Sequence, residues 1–167
     1  MNIFKGAPIV FAGVLLLLLS FVFLVFYDFP KKIDLDYPAY EYNSNQPEYG
    51  EETRIKLQGV LKRPIFSDEV FSGKIIIDKY QETAEYELID VGFHSENGMG
   101  SLSYTNTSNG ELELNLFGVI WKSDDFDMVN IMLNNPNSQS SEEIHLRISA
   151  PANNYNEAER IEGNLID

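Results

Sequence analysis

The chain has 167 residues, 44% of them hydrophobic and 23% charged, with a formal net charge of −14 and no cysteine. That is the length of one folded domain, and its acid excess excludes nucleic acid as a partner, because phosphate binding rests on clustered Lys and Arg. Without cysteine there are no disulfides, thiolate nucleophiles, thiolate metal sites or cysteine-linked lipid.

These averages conceal a sharp division. Residues 7–27 carry no charge, whereas all 26 acidic and eleven of the 12 basic residues follow Tyr27, a balance of −15. Four segments follow: a flank at 1–6, a transmembrane anchor at 7–27, a juxtamembrane spacer at 28–52, and a β-rich domain at 53–167. As a helix, 7–27 would be roughly 31 Å long, enough to cross the hydrocarbon layer, and backbone satisfaction in lipid demands a helix. Its apolar run exceeds that of a cleaved signal peptide, and no small-residue cleavage site follows it. Tyr27 and Phe29 suit the interface, and Pro30 ends the helix.

Lys5 on one side and Lys31-Lys32 on the other nearly balance under the positive-inside rule. The short flank is expected to stay in the cytoplasm, and the long domain to cross largely regardless of charge. The expected location is therefore the cell membrane, single-pass, with an extracytoplasmic domain. In the spacer, Pro30, Pro38 and Pro47 and the tyrosines at 37, 40, 42 and 49 sustain no helical or strand period, which reads as a short extended stalk.

From Thr53 the pattern turns to alternation broken by turns, the signal of antiparallel strands. Ile55, Leu57, Gly59 and Leu61 share one face; so do Phe71, Gly73, Ile75 and Ile77. A less regular strand follows through Tyr86, Leu88, Ile89, Val91 and Phe93. Leu102 and Tyr104 align on the next. Asn109-Gly110 accepts the positive φ angles of a tight hairpin, with Leu112, Leu114 and Leu116 beyond it. That strand runs to Trp121 with a bend or bulge near Gly118. Val129, Ile131 and Leu133 mark another strand, before the turn cluster 134–137; Ile144, Leu146 and Ile148 mark the last, stopped by Pro151. Residues 156–166 suit one or two helical turns on Ala158, Ile161 and Leu165, capped by Asn156. With no crossover helices, a parallel α/β fold is excluded. The expected fold is mainly β, an antiparallel meander of about seven strands, as a sandwich or a partly closed barrel, behind one N-terminal transmembrane helix.

No catalytic, cofactor-binding or metal-binding set stands out. His94 and His145 lack partners at ligand spacing. Asp124, Asp125, Asp127, Glu142 and Glu143 offer hard oxygen ligands for Ca²⁺, but not at EF-hand spacing. Lys62-Arg63 before Pro64 is the basic turn where an anionic ligand or partner would dock. Trp121 could present a ring to a ligand.

The anchor, the run Gly59-Val60-Leu61-Lys62-Arg63-Pro64-Ile65-Phe66, Phe71-Ser72-Gly73 with its Ile-Ile-Ile-Asp strand, and Tyr104-Thr105-Asn106-Thr107 before Gly118-Val119-Ile120-Trp121 together resemble small uncharacterised single-pass membrane proteins of Bacillus-type Gram-positive bacteria. The resemblance spans most of the chain; it implies a bacterial host and a cell-membrane location, and carries over no catalytic residue. The expected function is non-enzymatic binding or scaffolding at the envelope. Partners are the lipid bilayer, through the N-terminal helix, and an envelope protein or ligand. Alternatives are a carrier of apolar small molecules in a barrel pocket and a carboxylate-dependent hydrolase.

Overall fold

The computed structural model describes residues 7–44, 46–108, 111–134 and 146–166, with side chains at all of these except 7–9, 46–49 and 108. Helix α1 covers Ala7–Phe26, and nine strands follow among the described residues. They are β1 Lys31–Asn43, β2 Gln46–Lys62, β3 Glu69–Ile77, β4 Glu87–Leu88, β5 Val91–Phe93, β6 Met99–Ser108, β7 Glu111–Lys122, β8 Val129–Leu133 and β9 Leu146–Ala150. Helix α2, Glu82–Glu85, precedes β4, and α3, Tyr155–Ile166, closes the chain.

Every pairing is antiparallel. Along the meander each ring strand pairs with the next, and β9 returns to β1. Eight strands thus close a barrel, which leaves a ring without free edges. The ninth, β4, pairs with β6 beside β5 and stands outside the ring. The expectation of an antiparallel meander holds. Closure decides between sandwich and barrel, and the strands exceed the seven expected.

One additional strand, β1, comes from the supposed spacer, which also lengthens β2, and the other arises because the strand expected at 85–93 is divided into β4 and β5. Residues 31–43 and 46–62 form the longest hairpin of the barrel, so the β-domain begins at Lys31 rather than Thr53, and no stalk separates it from α1. The period of β1 is real but disguised. Ile33 and Ala39 are buried and Leu35 and Tyr37 pack on the core at alternate positions, and the same phase continues through buried Glu41 and Asn43. Two polar residues in core positions and a proline hide it. Pro38 is tolerated because the β9 ladder reaches β1 only at Tyr40–Asn43; beyond it Pro38 serves as an acceptor, from Ala152 N–H at 3.0 Å.

The strands expected from alternation bury the faces expected of them. Ile55, Leu57, Leu61, Phe71, Ile75 and Ile77 are all fully buried. Gly59 and Gly73 face each other across β2 and β3, where a Cβ on either would lie 2.3 or 2.2 Å from the neighbouring backbone. Only glycine permits that approach.

Two aromatic triads occupy the interior. Phe126 packs edge-on against Phe71 and Phe93, with centroids 5.3 and 5.5 Å apart, and Phe117 packs likewise on Tyr80 and Tyr104 at 5.2 and 5.6 Å. The first lies at the proximal end of the barrel, where the chain arrives from α1. The second lies toward the distal end.

The tail forms three turns of helix, longer than expected. Its cap is Asn154, not Asn156: Glu157 N–H donates to Asn154 Oδ1 at 3.1 Å, while the Glu157 carboxylate accepts from Asn153 N–H at 2.8 Å. These bonds hold the Glu157 carboxyl below its ordinary pKa. Ala158 and Ile161 pack with Tyr42 and Ala152 outside the barrel wall. Beneath them Tyr42 donates to Glu162 at 2.6 Å, Asn130 to Ser149 at 2.9 Å, and Arg147 pairs with Glu162 at 2.9 Å. This network pairs Tyr42, Asn130 and Ser149 beneath α3 and sets Arg147 against the Glu162 carboxylate.

Over the described side chains, which begin at Val10, no helix is long and apolar enough to cross a membrane. Helix α1 itself has 20 residues, none charged, and each of its described side chains is exposed.

Candidate functional site

The most unusual surface follows from one irregularity in β7. From Gly118 to Lys122 the even-numbered positions are buried and Trp121 and Val119 face outward. The β6–β7 register then shifts: Leu102 pairs with Gly118 but Ser103 pairs with Leu116, so Phe117 is the extra residue of a bulge. One added residue exchanges the two faces of a strand. Phe117 therefore turns into the core, and Leu112, Leu114 and Leu116 turn out, at 73%, 68% and 51% exposure.

The leucines form a stripe with two-residue spacing, opposite Thr107, Thr105 and Ser103 on β6. Ile89, whose N–H donates to the Ser103 carbonyl at 3.0 Å, adds a fourth apolar side chain to the same side at 42% exposure. Strand β8 covers β7 only from Gly118 to Lys122. The described part of the arm beyond the bulge, 111–117, therefore stands past the β8 ladder at the distal end. Even phasing without a bulge would have buried all three leucines, so the burial they forgo is the cost of this arrangement. A locally consistent hydrophobic pattern broken in this way marks a place where function competes with stability. The expected bulge near Gly118 is present. The hairpin residues Asn109 and Gly110 lie outside the described residues, although Ser108 and Glu111 pair on either side of them.

At the proximal end the sequence-derived candidates are engaged in a structural network. Arg63 contacts Asp125 through its guanidinium and Glu69 at 3.5 Å, Lys31 reaches Asp125 at 2.6 Å, and buried Lys122 meets Glu69 at 2.5 Å. Lys122 also lies 5.1 and 5.3 Å from the centroids of Phe93 and Phe126. Arg63 is thus neutralised from within, while Lys62 is exposed. A cleft of about 350 Å³ opens here between Pro64, Phe93, His94 and Lys122, with the Lys122–Glu69 pair on its lining.

Asp124 and Asp127 are exposed while Asp125 serves the ion pairs, and among the described residues no three His, Asp or Glu side chains converge as a metal site. His94 lies 3.4 Å from Asp68 on the surface. Trp121 is on the outer wall, its ring 5.9 Å from the Arg147 guanidinium, rather than in an interior pocket. Glu142, Glu143 and His145 lie outside the described residues.

The distal end has a smaller polar cluster that sequence reading missed. Glu41, buried within the strand once assigned to the spacer, accepts from Tyr80 OH at 2.7 Å and from Lys79 Nζ at 2.6 Å. Burial, then the bond to Glu41, raises the Tyr80 pKa above the ordinary phenol value; burial and then the charge of Glu82 do so for Tyr104. Comparison with protein-family models, curated proteins and solved structures returns no match to this chain.

Proposed function

We propose that the chain is a membrane-tethered, non-enzymatic β-barrel that presents a binding surface at the cell envelope. The observation that carries the reading is the direct passage from an uncharged helix of 20 residues with exposed apolar side chains into a barrel with a buried apolar core. An apolar helix of this exposure needs a cover, and 20 residues make about 30 Å, the thickness of the hydrocarbon layer. The helix runs from Ala7 to Phe26 without a charged residue. The reading accords with the resemblance to single-pass membrane proteins of Bacillus-type bacteria.

What the barrel offers a partner is its outside. Interior positions are taken by buried and partly buried side chains, six of them in two aromatic triads, which favours a packed core over a carrier's pocket. The leucine stripe is the surface best suited to an apolar protein partner, and its place at the distal end points it away from the helix. Anchoring would confine the search for such a partner to the membrane plane and raise its effective concentration. The barrel is assigned to the outer side, where a domain of this length translocates largely regardless of charge.

Photo-crosslinking in intact cells tests the surface. A crosslinker at Leu114 should capture one adduct of defined mass that a crosslinker at exposed Lys74 does not, and Leu112→Ser with Leu116→Ser should abolish it. Equal labelling from both positions would reject the stripe as a binding surface. Protease added to intact protoplasts should remove a C-terminal tag; protection until lysis would place the barrel in the cytoplasm.

A further inference from the structure

We infer that the β2–β3 loop, Arg63–Asp68, is a second membrane contact, in which Ile65 and Phe66 enter the interfacial layer of the bilayer beside α1. The inference rests on the reading of α1 as an anchor and adds what the barrel itself does there. Helical bonding persists to Tyr27, whose N–H donates to the Phe23 carbonyl at 2.9 Å. Barrel bonding begins one residue later, where Arg63 N–H donates to the Asp28 carbonyl at 2.5 Å. No free linker lies between helix and barrel. Only Tyr27 lies between Phe26 and Asp28, two steps of chain that span at most about 7 Å. The residue tied to Asp28 is the first of the loop, so the loop is held at the level where the helix would leave the membrane.

Its composition fits that level. Ile65 and Phe66 are 52% and 67% exposed, whereas the neighbouring proximal turns present Glu96, Asp124 and Asp127 as exposed residues. Tyr27 and Phe29 meet edge-on with centroids 4.8 Å apart and remain partly exposed, an aromatic pair of the kind that settles at a membrane interface. Of the nearby cations, Arg63 and Lys31 are paired with Asp125, while Lys62 and Lys32 are exposed. The side chains that enter the layer, Ile65 and Phe66, are apolar, so neutral lipid suffices for the contact.

The lack of cysteine makes single-cysteine labelling clean. Full-length chains carrying Ser67→Cys, Leu16→Cys or Thr107→Cys are labelled with an environment-sensitive fluorophore and reconstituted in phosphatidylcholine vesicles containing nitroxide lipids, shallow or deep. The deep nitroxide should quench position 16 most. The shallow one should quench position 67 several-fold more than position 107. Ile65→Ser with Phe66→Ser should bring position 67 to the level of 107 and leave 16 unchanged. Strong quenching at 16 with equal quenching at 67 and 107 overturns the loop contact and leaves the anchor standing. No quenching at 16 overturns the anchor and the loop contact together. A blue-shifted label at 67 that no nitroxide quenches also overturns it, in favour of a protein contact.

Discussion

The two ends of the barrel use the same parts for opposite purposes. Each has an aromatic triad closed by a lysine–glutamate pair, yet Lys122 is 4% exposed and Lys79 36%. At the proximal end Lys122 is buried, and Glu69 and its neighbours join it to Arg63, Asp125 and Lys31, so the end nearest α1 is braced. At the distal end the pair lies at the rim, and the β6–β7 arm extends beyond it with its leucines outward. The difference teaches that charge at this protein's surface is structural where the chain enters from α1, whereas the binding candidate is apolar and distant from it.

Substitutions can break that contrast. Phe126→Ala should cost about 4 kcal/mol in chemical denaturation, because a fully buried ring at the centre of the proximal triad leaves a cavity. Lys122→Ala should follow at about 3 kcal/mol, since it strands part of a buried network, while Lys122→Met keeps the stem over Phe93 and Phe126 and should lose less. Lys79→Ala should cost less, about 1 kcal/mol, because Lys79 is itself partly open to solvent and buried Glu41 keeps its bond from Tyr80. Equal losses for the two lysines would erase the distinction between the ends.

A pH series separates the ends differently. Tyr80 and Tyr104 hold their phenolic protons more tightly in the folded barrel than in the unfolded chain, which releases them near pH 10. Their contribution is complete below about pH 10. Above it the unfolded chain binds fewer protons than the folded one, and stability falls as pH rises. Thermal melts should show this alkaline loss, reduced in Tyr80→Phe and Tyr104→Phe. The smallest effect expected is on stability in Leu112→Ser with Leu116→Ser, within about 0.5 kcal/mol, because these side chains are exposed.

Much of the barrel was legible because alternation at Ile55–Leu61, Phe71–Ile77 and Leu102–Tyr104 reports one buried face. The first strand was not, because Glu41 and Asn43 occupy inward positions and Pro38 interrupts the apolar phase; only tertiary pairing with β2 and β9 reveals it. The candidate site was half legible. The sequence contained both the leucines and the bulge near Gly118, but nothing local says which side of the bulge keeps the inward phase. Lys62-Arg63 drew attention as a basic turn, and the acid that neutralises Arg63, Asp125, lies sixty-two positions along the chain. No local pattern could join them.

The tether is tested most directly by floating the full chain with phosphatidylcholine vesicles on a density gradient after a sodium carbonate wash. Recovery with the vesicles is the expected result, since an inserted uncharged helix resists alkaline extraction. A folded chain left at the bottom of the gradient would contradict the anchor, and with it the seating of the barrel's proximal end on the bilayer.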